Sequence, residues 1–153
     1  MNNSASVSGN TANQGGGVYV ESGTFNMNDG KISGNKAKND KASNDTNGGG
    51  VFVTGTNSTF NMYGGVITEN SANYGGGVYV SGGTFTMNGG ASSVSKNTAK
   101  NGGGVSVSSG TFNMNDGTIS GNTGNGVFVN GGTFTVEIGG QTVSLTAEDL
   151  LVE

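Results

Sequence analysis

Apolar residues come in short alternating bursts along this chain, and the bursts return in a fixed order. Val18 and Val20 are followed by Phe25 and Met27, and then by Ile32. The order recurs at Val51/Val53, Phe60/Met62 and Ile67, at Val78/Val80, Phe85/Met87 and Val94, and at Val105/Val107, Phe112/Met114 and Ile119. A shortened copy holds Val127/Val129 and Phe134/Val136. Successive side chains of a strand point to opposite faces, so this alternation predicts three short strands per unit, with the apolar members inward. One unit cannot bury its own apolar face. The pattern therefore predicts stacked coils, each strand parallel to its copy in the next coil, in an all-β solenoid of about five coils.

Glycine and asparagine punctuate the units. Runs at residues 15–17, 48–50, 75–77 and 102–104 are all glycine and fall where the chain must turn a corner close to neighbouring backbone. Asn10, Asn35, Asn70, Asn97 and Asn122 share one repeated position, which predicts an inward or corner amide ladder from coil to coil. The pattern is already running at Val7-Ser8-Gly9-Asn10, so repeats are expected over residues 1–136, starting in mid-coil. Enlarged corners are expected at residues 36–47, 54–58 and 91–93. Beyond Val136, alternation around Gly139-Gly140 predicts a hairpin, and Thr146 to Asp149 carries a helix-start signal. Residues 137–153 are thus read as a C-terminal hairpin and capping segment.

Composition narrows the chemistry. The 153 residues include 32 glycines but no cysteine, histidine, tryptophan or proline, and arginine is also absent from the sequence. Disulfides, thiolate or imidazole metal sites and a histidine base are excluded. A net charge of −4 with six basic residues offers no basic stripe for nucleic acid. No stretch has the length of a membrane span and no apolar signal segment opens the chain, so membrane insertion is not expected.

The run Ile119-Ser120-Gly121-Asn122, with Thr-Ala after Asn10 and Asn97 and Gly-Gly-Gly-Val nearby, resembles the FxxN and GGA[ILV] motifs of chlamydial polymorphic outer membrane proteins. It is more similar to the repeats of large bacterial surface proteins of adhesin and autotransporter-passenger type. The chain departs from the chlamydial form in having Ile or Val for phenylalanine and Gly for alanine. The resemblance covers residues 7–136 and implies a right-handed, single-stranded parallel β-helix. It further implies an extracellular, cell-surface structural or adhesive module, with any export signal outside this sequence.

Two outward ladders are the candidate partner surfaces. One consists of Thr24/Asn26, Thr59/Asn61, Thr84/Thr86, Thr111/Asn113 and Thr133/Thr135. Its hydroxyl and methyl rows are similar to those of ice-binding β-solenoids, although asparagine interrupts three rows and threonine is favoured on any exposed strand. The other consists of Tyr19, Phe52, Tyr79 and Phe128, with Ser106 between the last two. It reads as an exposed aromatic stripe, suited to a host or cell-surface glycan or protein. A third possibility is a fibre subunit that self-associates through open ends.

No catalytic, cofactor or metal site is expected. Asp29 and Asp116 occupy equivalent turns three levels apart, about 14 Å, too far for a paired glycosidase site. Asn39, Asp40, Asn44 and Asp45 offer oxygen ligands, but their spacing fits no calcium repeat and reads as a solvated loop.

Overall fold

Each apolar burst pairs with its copy one level on, in parallel and in register. The structure, a computed structural model, describes residues 5–39 and 45–145, which are all-β. The chain enters with β1 (Ser6–Ser8) and β2 (Thr11–Ala12). The next level contributes β3 (Val18–Val20), β4 (Gly23–Met27), β5 (Lys31–Ser33) and β6 (Lys36–Ala37). There follow β7 (Val51–Thr54), β8 (Ser58–Met62) and β9 (Gly65–Thr68), then β10 (Val78–Met87), β11 (Ser92–Ser95), β12 (Val105–Met114) and β13 (Thr118–Ser120). The last three strands are β14 (Val127–Val129), β15 (Thr133–Ile138) and β16 (Gln141–Leu145).

A five-stranded sheet in the order β1-β5-β9-β11-β13 brings Val7, Ile32, Ile67, Val94 and Ile119 into one column. A nine-stranded sheet stacks β3, β7, β10, β12 and β14, and beside them β4, β8, β10, β12 and β15. Between these sheets lies the core. Phe60, Phe85 and Phe112 are wholly buried and flanked by Phe25 and Phe134. In three neighbouring pairs of this column the rings are stacked nearly parallel, with centroids 4.8–5.2 Å apart, close to the 4.7–4.9 Å that separates strands.

The level differs from three separate short strands in two respects. In β10 and β12 the first two strands fuse into single runs of ten residues, with register shifts between Val80 and Thr84 that absorb the bend as an irregularity in pairing. A further line of pairing follows the asparagine position through β2 and β6 and on to Ser71, Thr98 and Thr123. Nor is the stretch at residues 91–93 all corner. Ser92 and Ser93 belong to β11 and pair with Gly65 and Val66. Ser92 is buried, its hydroxyl donating to the Met62 carbonyl at 3.3 Å.

The asparagine column couples the levels most completely. Asn70 Nδ2 donates to the Ile32 carbonyl on one side and to Asn97 Oδ1 on the other, both at 3.0 Å. Its Oδ1 accepts from the backbone N–H and Nδ2 of Asn35, at 2.9 and 3.0 Å. Asn35 and Asn97 repeat the scheme. Both donors and both lone pairs of each of these amides are therefore used, which allows side chains only 0–1% exposed to sit inside at little cost. Linked asparagines are 25, 35, 27 and 25 residues apart. The longest interval is ten residues longer than the shortest, 35 against 25, yet the bonds of the column are the same across it.

Two glycines show why the corner needs that residue. Gly75 has φ 62°, and a Cβ there would lie 2.4 Å from the Val78 carbonyl oxygen. At Gly77 it would lie 2.6 Å from the Gly104 oxygen and 2.9 Å from Asn97 Nδ2. The corner is thus pressed directly against the amide column. The residue before each asparagine is also left-handed. Glycine fills that place at residues 9, 34 and 121, but Glu69 (φ 59°) and Lys96 (φ 56°) hold it elsewhere, against a cost of about 1–2 kcal/mol.

At the far end β15 and β16 form an antiparallel hairpin with Ile138 opposite Gln141. Gly139 and Gly140 both have positive φ, 60° and 79°, as a tight two-residue turn requires. The returning strand covers the edge of β15. The helix-start signal at Thr146 to Asp149 lies outside the described residues, as do Asp40 and Asn44.

Two predictions follow from the column. Asn70→Ala strands the donors of Asn35 and the Ile32 carbonyl, and should cost roughly 3–5 kcal/mol in urea unfolding. Asn10→Ala, at the exposed end, should cost under about 1 kcal/mol. Glu69→Gly and Lys96→Gly should each raise stability by about 1 kcal/mol by removing left-handed strain, measured as a shift in denaturation midpoint at constant m-value.

Candidate functional site

Once the glycines, inward apolar residues and asparagines are assigned to holding levels together, the two outward ladders remain. The threonine ladder is continuous. Thr24, Thr59, Thr84, Thr111 and Thr133 pair in succession, and so do Asn26, Asn61, Thr86, Asn113 and Thr135. Thr24 and Asn26 are exposed and the other members half-buried. Part of the polar capacity is spent within the ladder, because Asn61 Nδ2 donates to Asn26 Oδ1 at 2.9 Å and Thr135 Oγ1 to Asn113 Oδ1 at 2.6 Å.

The aromatic ladder requires a correction. Tyr19, Phe52, Tyr79, Ser106 and Phe128 do pair in succession, but they do not form an exposed stripe. Tyr19 is 47% exposed, whereas Phe52 is only 5% and Ser106 only 2% exposed, and Tyr79 and Phe128 are half-buried. The physical reason is mutual cover. Phe52 lies between Tyr19, edge-on at 5.1 Å, and Tyr79, tilted at 5.3 Å. The glycine corners also pass over the ladder's base, so that a Cβ on Gly48 would lie 2.8 Å from Phe52 Cβ and one on Gly102 2.7 Å from Ser106 Cβ. The ladder is a second packed layer outside the core, open at Tyr19 and interrupted at Ser106.

The interruption leaves a recess of about 220 Å³. Ser106 forms its floor, with Tyr79 and Phe128 on the levels to either side. Tyr74, 6.4 Å from Tyr79 between ring centroids, closes one side, and Asp45, Asn47, Ser108 and Asn130 complete the lining. The wall made by residues 45–47 is fixed in place. Thr46 Oγ1 accepts from the Asn73 N–H and the Thr46 carbonyl from the Tyr74 N–H, both at 3.1 Å. Pattern reading of the ladder missed Tyr74, Asn47 and Asn130. The available signal was Tyr74 itself, an aromatic at a paired position occupied by Gln14, Asn47 and Asn101 on the other levels.

Asp29 and Asp116 serve local turns. Asp29 Oδ1 accepts from the Gly30 N–H and Asp116 Oδ1 from the Gly117 N–H, each at 2.7 Å. Among the described residues no three acidic, histidine or cysteine side chains gather in a way that could hold a metal ion. A second hollow of about 270 Å³, largely apolar, lies at the first-level end between β1 and β4, lined by Val7, Phe25, Met27 and Ile32 among others. The chain has no match among protein-family models, curated proteins or solved structures.

The packing of the aromatic ladder sets a contrast that unfolding can measure. Phe52→Ala should cost about 3 kcal/mol, as for a core phenylalanine. Tyr19→Ala, at the open end, should cost about 1 kcal/mol or less.

Proposed function

We propose that the chain is a right-handed parallel β-helix acting as a non-enzymatic structural or adhesive module of an extracellular bacterial surface protein. It serves as a rigid spacer that presents its outward ladders to a host or cell-surface partner. The observation that carries this reading is the use made of the repeated residues. Valine, phenylalanine, methionine, glycine and asparagine of each level all bond or pack to the next level, so what varies and faces outward is left for recognition. Parallel strands joined through a crossover are right-handed in about 98% of cases, which supports the handedness. Strand pairing that extends level by level makes stiffness along the stack a property of the backbone itself.

The partner surface in this reading is the aromatic ladder at Tyr19 and around the Ser106 recess. The threonine ladder, with asparagine amides bonded along it, is a solvated strand face rather than an ice plane. Two measurements test these assignments. A panel of immobilised glycans and matrix proteins should retain the wild-type chain on at least one member and lose the Tyr19→Ser/Tyr79→Ser double variant by roughly tenfold. Retention of neither would leave the spacer role alone. Thermal hysteresis at micromolar protein should equal that of buffer, and a measurable freezing gap with shaped ice crystals would replace the adhesive reading by an ice-binding one.

A further inference from the structure

The recess over Ser106 has the features of a built subsite. On successive levels the aromatic ladder carries Tyr19, Phe52 and Tyr79, then Ser106, then Phe128. Replacement of one ring by a hydroxymethyl group opens a space bounded by aromatic side chains two strand spacings apart, roughly 9–10 Å. Allowing van der Waals contacts of about 3.5–4.0 Å at each end, that spacing leaves room for a single ring. The volume of about 220 Å³ lies below the roughly 300–1,000 Å³ of clefts for drug-sized ligands and suits a single ring.

The polar groups point to the same class of ligand. Ser106 is 98% buried, being 2% exposed, yet lines the recess, and its hydroxyl has no hydrogen-bond partner among the described residues. Around the rim stand Asp45 and the Asn47 and Asn130 amides, and each of the two amides carries both an acceptor and a donor group. Among the described residues no lysine lines the recess, and that lining does not favour a phosphate, sulfate or carboxylate. A polar rim with flanking aromatic side chains disfavours an acyl chain and suits a ring with apolar C–H faces and hydroxyls at its edge.

We propose that this recess binds one neutral pyranose unit of a saccharide, held between Tyr79 and Phe128 with a ring hydroxyl bonded to Ser106 Oγ. The proposal rests on the adhesive reading above and gives it a ligand class and an address. Its bonds are hydrogen bonds and dispersion contacts only, and no covalent step is involved.

The test is an array of neutral oligosaccharides probed with the full chain and three variants. Ser106→Phe restores the missing ring, as Phe52 and Phe128 show the ladder accepts, and its fold is checked by circular dichroism and thermal midpoint. Ser106→Ala removes the hydroxyl alone, and Tyr63→Ser alters an exposed tyrosine remote from the recess. The expected result is binding of at least one neutral glycan, lost by tenfold or more in the folded Ser106→Phe variant, weakened several-fold in Ser106→Ala and unchanged in Tyr63→Ser. Glycan binding that survives Ser106→Phe overturns the recess but leaves the adhesive reading standing. Preference for aromatic peptides over every glycan overturns the saccharide assignment, and no binding to any glycan overturns the proposal and the glycan-adhesive reading together.

Discussion

A buried primary amide has two donors and two lone pairs to satisfy, and in this molecule every partner lies on the level above or below. That constraint organises the rest. Asn35, Asn70 and Asn97 are buried because each finds a carbonyl on one side and another asparagine on both sides. The same residue must therefore return at the same place on each level, with the strand before it in register and a left-handed residue immediately ahead of it. The glycine corner follows, because Gly77 passes within a side chain's width of the Asn97 amide. Segments away from the column are released from the constraint, which is why ten additional residues are accommodated in a single interval.

The column, the phenylalanine stack and the paired strands together consume nearly every recurring side chain. Recognition is left to positions whose identity is not dictated by stacking. Ser106 is the clearest of these, since the levels on either side hold rings at its position. The aromatic layer outside the core adds packing as well as a surface, so a change there alters stability and binding together unless, as at Ser106, it fills space instead of removing it.

Much of this was legible in the residue order. Alternation at Val78/Val80 and Phe85/Met87 marks inward faces, and the recurrence of Asn97 at one place marks the column. The number of levels can be counted from the same copies. The burial of Phe52 and Ser106 was not legible, because alternation tells which side of a strand a residue occupies but not what else covers that side. Their cover comes from neighbouring levels and from the glycine corners four residues before them, at Gly48 and Gly102. The fusion of two strands into β10 and β12 was hidden for a related reason, since Gly82 reads equally as a break or as a tolerated irregularity. Ser92 looked like corner material until the Met62 carbonyl supplied its partner. The left-handed state of Glu69 and Lys96 is dictated by the asparagine that follows and not by their own chemistry.

Side-chain amide hydrogen exchange measures the column most directly. With uniformly ¹⁵N-labelled protein, the Nδ2 protons of Asn35, Asn70 and Asn97 should exchange orders of magnitude more slowly than those of the exposed Asn26, and as slowly as the core backbone amides. Exchange of the three at the rate of Asn26 would contradict the claim that these bonds hold one level on the next.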